Sequence, residues 1–299
     1  MKPINLSYLV CTYNRLNFIK ILLPRLIENI KPDEEIIVVD GNSTDGAKEY
    51  LQKLYENGKI HQFVSEPDRN QSEGWNKGLL IAKGIIIKKL IDDDVHDYTA
   101  IRKCCDFMLT NAGIDICISN HLAFSLSGTT KPDITGRLPE YKRWKSGLIK
   151  TFTFSDVSML VRRSSLSFLG LYDTQFKMMD WEYSLRMSWL QARIAYYTGY
   201  NSLSVSTPGN VTSTATKKLL KYEGEIGRVK YGYPGDHADI SFYSKLKVWL
   251  GNTYYNLKNK KVSAVSAQLP PVDEMEKIYT SYYSELARAN AAGDWQFIY

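Results

Sequence analysis

The sequence predicts an α/β fold: a mostly parallel sheet flanked by helices, followed by a C-terminal helical extension. Three observations predict it. Short runs rich in β-branched residues alternate with helix-length stretches from Ile4 to Ile91, the order that right-handed βαβ crossovers impose. Polar clusters (Thr12-Tyr13-Asn14-Arg15, Asp40-Gly41-Asn42-Ser43 and Asp92-Asp93-Asp94) fall where three of those runs end, and parallel sheets bind ligands at the carboxyl ends of their strands. Beyond Thr216 the composition turns to Lys- and Tyr-rich helices.

In order along the chain, Ile4–Val10 reads as a strand and Leu16–Ile30 as a helix interrupted near Pro24. Glu35–Asp40 is a short buried strand through Ile36-Ile37-Val38-Val39, and Thr44–Glu56 a helix. Ile60–Val64 is a strand, Gln71–Lys83 a helix, and Ile85–Ile91 a strand whose apolar run is broken by Lys88-Lys89. The middle is less regular. Ile114–Ser119 is a strand, followed by a Gly/Pro-containing excursion from Ser125 to Ser146. Phe152–Val161 is strand-like, Ser164–Leu169 a short helix and Trp181–Gln191 a helix. Further on, Phe242, Leu246, Trp249, Leu250, Thr253 and Leu257 form one apolar helical face, and Pro270-Pro271 breaks the chain before a final helix.

The formal charge of +6 is unevenly placed, because Lys217–Lys261 holds ten Lys/Arg against four Asp/Glu and carries an excess equal to that of the whole chain. Such a segment suits phosphates or an anionic membrane and does not resemble a nucleic-acid-binding surface. The four cysteines lack zinc spacing and are expected to be reduced. No apolar run approaches the roughly 18 residues that span a bilayer, and the first strand begins without a signal-peptide layout. The expectation is a soluble protein of the cytoplasm.

Three adjacent aspartates at a strand end repel one another unless cations share them. A divalent metal such as Mg²⁺ or Mn²⁺ carrying ligand phosphates is an economical partner, a solvated acidic turn the plain alternative. The order of five pieces decides between them: Cys11-Thr12-Tyr13-Asn14-Arg15, Ile36 through Gly46, Ser65-Glu66-Pro67-Asp68, Asn76-Lys77-Gly78 and Asp92-Asp93-Asp94. Together they resemble the signature of GT-A glycosyltransferases of family 2, which use a nucleotide-sugar and a divalent metal and invert the anomeric carbon. The resemblance is strong over residues 4–100 and moderate over 155–190. It implies a GT-A catalytic domain over 1–216, with a nucleotide-sugar half at about 1–100 and an acceptor half at about 101–216, and the helical extension over 217–299.

By that resemblance Thr12 and Tyr13 line a uridine pocket, with Arg15 beside them, and Asp40 accepts the imide N–H of uracil, with Ser43 next to it. Ser43-Thr44-Asp45-Gly46 also reads as ordinary helix capping, the preferred role for Asp45. Asp68 and Lys77 flank the donor, and Arg69 is a diphosphate ligand or a surface arginine. Aligned on Leu90, the triplet presents Asp93-Asp94; read as a literal DxD it presents Asp92 and Asp94. Asp94 is the metal ligand on both readings. Met179-Asp180-Trp181-Glu182-Tyr183-Ser184-Leu185-Arg186 resembles the family's base segment, so Asp180 matches the base that takes the acceptor proton. Glu182 either supports that base or favours the helix dipole, the latter being preferred. Ser158-Met159-Leu160-Val161-Arg162-Arg163 resembles the strand lining the acceptor cleft.

Two departures qualify the resemblance. Where many relatives carry a metal- or phosphate-binding His, this chain has Ser206-Thr207-Pro208-Gly209-Asn210, so metal binding would rest on carboxylates and water. Glu140-Tyr141-Lys142-Arg143-Trp144 only superficially matches the QxxRW of processive synthases and precedes the base, which points to addition of a single sugar. His61, His96, His121 and His237 have no metal-ligand spacing. The resemblance implies a glycan or lipid-linked acceptor. Two other readings are a nucleotidyltransferase on a similar sheet and a non-catalytic nucleotide-sugar-binding scaffold. For the basic C-terminal part the alternatives are peripheral contact with the inner face of a membrane, and packing of its aromatics onto the catalytic domain or a second subunit of a homodimer.

Overall fold

The structure, a computed structural model, describes residues 3–125, 132–207, 217–233 and 271–299. Four strands open the chain: β1 (Leu6–Thr12), β2 (Glu34–Asp40), β3 (Gln62–Ser65) and β4 (Ile86–Ile91). They stand parallel in the order β3-β2-β1-β4, connected by α1 (Leu16–Asn29), α2 (Ala47–Glu56) and α3 (Gln71–Ile81). Every residue of β2 is buried, and its centre, Ile36-Ile37-Val38-Val39, is accordingly an unbroken apolar run. Pro24 does not end α1: Leu22, Leu23 and Leu26 around it are buried, and packing on the sheet carries the helix across the lost N–H. α3 lies very close to β1, since a Cβ on Gly78 would come within 2.1 Å of Leu9 Cδ1.

The second half continues the same sheet. β5 (Val95–His96), α4 (Tyr98–Thr110), β6 (Ile116–Ser125), β7 (Asp133–Thr135), α5 (Leu138–Lys145), β8 (Leu160–Arg162), α6 (Leu166–Leu169), α7 (Met179–Trp189) and β9 (Ile194–Ser206) follow in turn. After them come α8 (Lys217–Tyr231), α9 (Val272–Ala291) and β10 (Phe297–Ile298). The strand order is β10-β9-β6-β8-β4-β1-β2-β3, with β5 on β9 and β7 on β6. β8 runs antiparallel to both β4 and β6, while β6 and β9 are parallel. Side chains of β1 alternate between two cores, Leu6, Tyr8 and Val10 on one face and Leu9 on the other.

Several elements differ from expectation. α4 and β9 are unforeseen, β6 extends to Ser125, and the excursion after it contains β7 and α5. Residues 152–161 form extended chain, a single 3-10 turn at Asp156–Ser158 and the short β8, because polar Thr153, Ser155 and Ser158 face a cleft and not a ladder. The tail is more than helical. α9 packs on α1, β5 and β9, and β10 pairs antiparallel with β9 through Phe297↔Tyr197. Phe297 also stacks on Phe107 of α4 with ring centroids 4.0 Å apart. The apolar face from Phe242 to Leu257 lies outside the described residues. Among the described residues no helix is long and apolar enough to cross a membrane.

Candidate functional site

The carboxyl ends of β1, β2 and β4 meet at one edge, with Thr12 in register with Asp40. Two turns interlock there. Asn14, in the left-handed region at φ 52°, donates its N–H to Ser43 Oγ (2.8 Å) and accepts from Thr44 N–H (2.8 Å) on its side-chain oxygen. Asp40 is fully buried and orders the second turn: its Oδ2 accepts from Ser43 N–H (3.0 Å) and Ser65 Oγ (2.7 Å), and its Oδ1 accepts from Ser43 Oγ. Asp45 caps backbone N–H groups of Leu16 (2.9 Å) and Ala47 (3.1 Å). The Tyr13 ring is 60% exposed and lies against Gly41, where an added Cβ would meet its Cδ2 at 3.2 Å. That leaves a flat aromatic surface beside the strand ends.

Lys77 ties the loop after β3 to α3, with Nζ 2.6 Å from Asp68 Oδ1 and 2.8 Å from Glu66 Oε1. Gly74 leaves room for this, since its Cβ would stand 2.8 Å from Asp68 Oδ2. Burial raises the proton affinity of Asp68, against the pull of Lys77. Thus Thr12, Tyr13, Asp40, Ser43, Asp68 and Lys77 gather at one edge. Arg69 turns to solvent, where its backbone N–H (2.6 Å) and Nε (3.1 Å) donate to Glu73.

The aspartate triplet is buried, and its charge is met from within the protein. Arg15 Nε lies 3.0 Å from Asp92 Oδ1 and Nη2 2.5 Å from Asp93 Oδ2, while the guanidinium stacks 4.4 Å over the Phe18 ring. Burial opposes the arginine's charge, but Asp92 and Asp93 outweigh it and raise its pKa. Thr12 donates to Asp92 Oδ2 (2.9 Å), Thr207 donates to Asp93 Oδ2, and Val205 N–H donates to Asp94 Oδ1 (2.8 Å). Tyr279 of α9 donates to the Asp93 carbonyl (2.6 Å). Burial and the neighbouring Asp93 push the Asp94 pKa well up, favouring the neutral acid.

Hard carboxylate oxygens suit Mn²⁺ or Mg²⁺. In this arrangement, however, a guanidinium already bridges two of the three carboxylates, and the third accepts from a backbone N–H. With Arg15 in place the triplet does not fit a divalent cation. Thr207, in the segment where many relatives carry a His, donates to Asp93.

A second acidic group sits across β4. Asp180, in the first turn of α7, borders a cleft of about 230 Å³ together with Ser155, Ser158, His121, Trp181 and Tyr196. Burial and the nearby Asp156 raise its pKa to about 6, with Lys89 acting the other way. Burial lowers the His121 pKa to about 4, so this ring is neutral near pH 7. Glu182 is set apart from the cleft. It is fully buried, accepts from Arg186 Nε (3.0 Å) and Nη2 (2.9 Å), and receives the Tyr231 hydroxyl of α8. Its carboxylate joins α7 to α8, more than the helix-dipole role expected of it.

Sequence reasoning passed over Lys89, Asp156 and Tyr172. Lys89 is buried and paired with Asp156, its Nζ 4.5 Å from the Trp75 ring centroid and 5.0 Å from that of Tyr172. Tyr172 donates to the same Asp156 oxygen (3.0 Å). The neighbouring Lys88 is fully buried and donates to the Val157 carbonyl. Burial lowers its pKa to about 7. Two lysines inside a predicted buried strand were the available signal, since interior cations require anionic or carbonyl partners.

The family model for glycosyl transferase family 2 matches residues 7–170. Chondroitin synthase and hyaluronan synthase of Pasteurella multocida are each 28% identical over 98 residues, 33% of this chain. The match spans only 10% of either relative, so this chain corresponds to a small part of them. Staphylococcus aureus TarS 1-349 in complex with UDP-GlcNAc superposes with a TM-score of 0.57 at 15% identity, covering 96% of this chain and 81% of that one. The mannosyltransferase PcManGT from Pyrobaculum calidifontis, in complex with GDP-Man and Mn²⁺, gives 0.53 at 16% identity, covering 98% and 77%. At these identities the structural likeness shows the fold, a GT-A sheet and its helices.

Proposed function

Because the chain belongs to glycosyl transferase family 2, we propose that it moves a single sugar from a nucleotide-sugar, a UDP-sugar, to an acceptor hydroxyl with inversion of the anomeric carbon. The products would enter a surface polysaccharide or a lipid-linked glycan. The observation that carries this reading is Asp180, a carboxylate with a pKa near 6 at the mouth of a cleft lined by hydroxyl and aromatic side chains. A general base needs a proton affinity not far below the working pH and access to the proton it removes. Asp180 would take the acceptor proton as the acceptor oxygen bonds the anomeric carbon and the bond to the diphosphate breaks. Tyr13 would stack on the base while Thr12, Asp40 and Ser43 form the nucleoside side of the pocket. Asp68 and Lys77 would stand beside the diphosphate.

The experiment is Asp180→Asn. Transfer should fall by roughly 10²–10⁴ while UDP affinity, read by thermal shift or calorimetry, stays within a few-fold. Near-normal turnover would refute Asp180 as base. The basic stretch from Lys217 to Lys261 supports peripheral contact with an anionic membrane on the cytoplasmic face, where a lipid-linked acceptor would reside. Co-sedimentation with anionic vesicles that high salt abolishes tests that contact; a dimer in solution without vesicle binding supports the packing alternative.

A further inference from the structure

We propose that Lys89 and Asp156 are positioning residues for the transfer step, a buried ion pair that holds the turn at residues 155–158 against Asp180 and fixes the charge beside which Asp180 works. The proposal rests on Asp180 as base and names what tunes it.

The geometry is a bracket around one turn. From one face of β4, Lys89 reaches Asp156, and from the other Lys88 reaches the Val157 carbonyl. Asn201 of β9 donates to the Ser158 carbonyl (2.7 Å), so three residues of the sheet hold three consecutive residues of the turn. Ser155 and Ser158 of that turn line the cleft with Asp180. Tyr172, which donates to Asp156, packs on Tyr183 of α7 with ring centroids 4.3 Å apart, one helical turn beyond Asp180. Turn and helix are therefore fastened to each other through Tyr172.

The charges around Asp180 come from several elements: Lys89 from β4, Asp156 from the turn, Tyr172 from the segment before α7, and His121 and Arg137 across the cleft. His121 is neutral near pH 7, and Arg137 is partnered by Glu140 at 3.1 Å. Lys89 and Asp156 thus stand as the matched pair nearest the base. If Lys89 is lost, Asp156 presents an uncompensated anion to Asp180. If Asp156 is lost, Lys89 presents an uncompensated cation.

The test compares wild type, Lys89→Met, Asp156→Asn and the double variant by the pH profile of kcat/KM and by carboxyl-carbon NMR titration of Asp180. The acid limb and the NMR titration should move up in Lys89→Met and down in Asp156→Asn, each by on the order of one pH unit. The double variant, which buries no unpaired charge, should return toward wild type, and the downward shift in Asp156→Asn keeps the test available if Lys89→Met fails to fold. Unmoved Asp180 titrations across the variants overturn the proposal. If Asp180→Asn retains transfer while the NMR titrations still move, the base reading fails and the tuning stands.

Discussion

The two acidic clusters flanking β4 handle charge in opposite ways. At its carboxyl end three aspartates face one arginine, which bridges two of them and stacks on Phe18. Beside Lys89 two aspartates face one lysine, which pairs with Asp156 and leaves Asp180 at the cleft with a pKa near 6. The first cluster consolidates structure, because its anions are tied to Thr12, Thr207 and the β9 backbone. The second keeps one carboxylate available to exchange a proton. Aspartates alone do not distinguish a cluster tied into the structure from one that leaves a carboxylate free to titrate; the position of the cation does.

The comparison breaks most readily at Arg15. Arg15→Met leaves Asp92 and Asp93 buried without their partner and should cost about 3–5 kcal/mol of stability near pH 7, measured by urea unfolding. Burial raises the Asp92 pKa to about 6 even with Arg15 opposing it, and without Arg15 it rises further, so acid relieves this penalty: the deficit should shrink as pH falls from 7 toward 6. Mn²⁺ without nucleotide should give no calorimetric signal with wild type, and should stabilise Arg15→Met against unfolding. Stoichiometric Mn²⁺ binding by the wild-type protein would show that the guanidinium does not close the triplet.

The second cluster sharpens through pH. Asp180 must be ionised to act as base, so transfer should rise with pH through an acid limb near 6. Its folded pKa lies above the ordinary 3.8, so the fold prefers the protonated form and loses stability as pH climbs from about 4 to about 6. Asp180→Asn should therefore be as stable as wild type at pH 7, or more so, opposite in sign to Arg15→Met. A strongly destabilised Asp180→Asn would mean that this carboxylate also belongs to structure. The smallest effect is expected at Tyr279→Phe, which removes one hydrogen bond to the Asp93 carbonyl and should cost about 0.5–1.5 kcal/mol in thermal unfolding.

The first ninety residues were legible because local chemistry and the fold agree there: β-branched runs are buried strands, and polar turns end them. Asp45 reads as a cap, and its carboxylate accepts from the first N–H groups of α1 and α2. Legibility fails where partners are distant in sequence. Nothing near Arg15 announces that its guanidinium meets residues 92 and 93, and nothing near Glu182 announces Tyr231. β9 escaped because Ile194–Ser206 mixes tyrosines with serines and glycine, and only its pairing with β6, β5 and β10 makes it a strand. β10 is two residues long and exists only as an addition to β9.

Tyr279 reaches back 186 residues to the backbone of the aspartate triplet, and β10 closes the sheet edge after it. During synthesis on the ribosome, the strands and turns of the nucleotide edge can assemble while α9 is still unmade. The Asp93 carbonyl cannot accept from Tyr279 until residue 279 has left the exit tunnel. Removing α9 and β10 should therefore yield a chain that forms its amino-terminal strands but holds the triplet loosely. The maturity of one end of the protein is read out at the other.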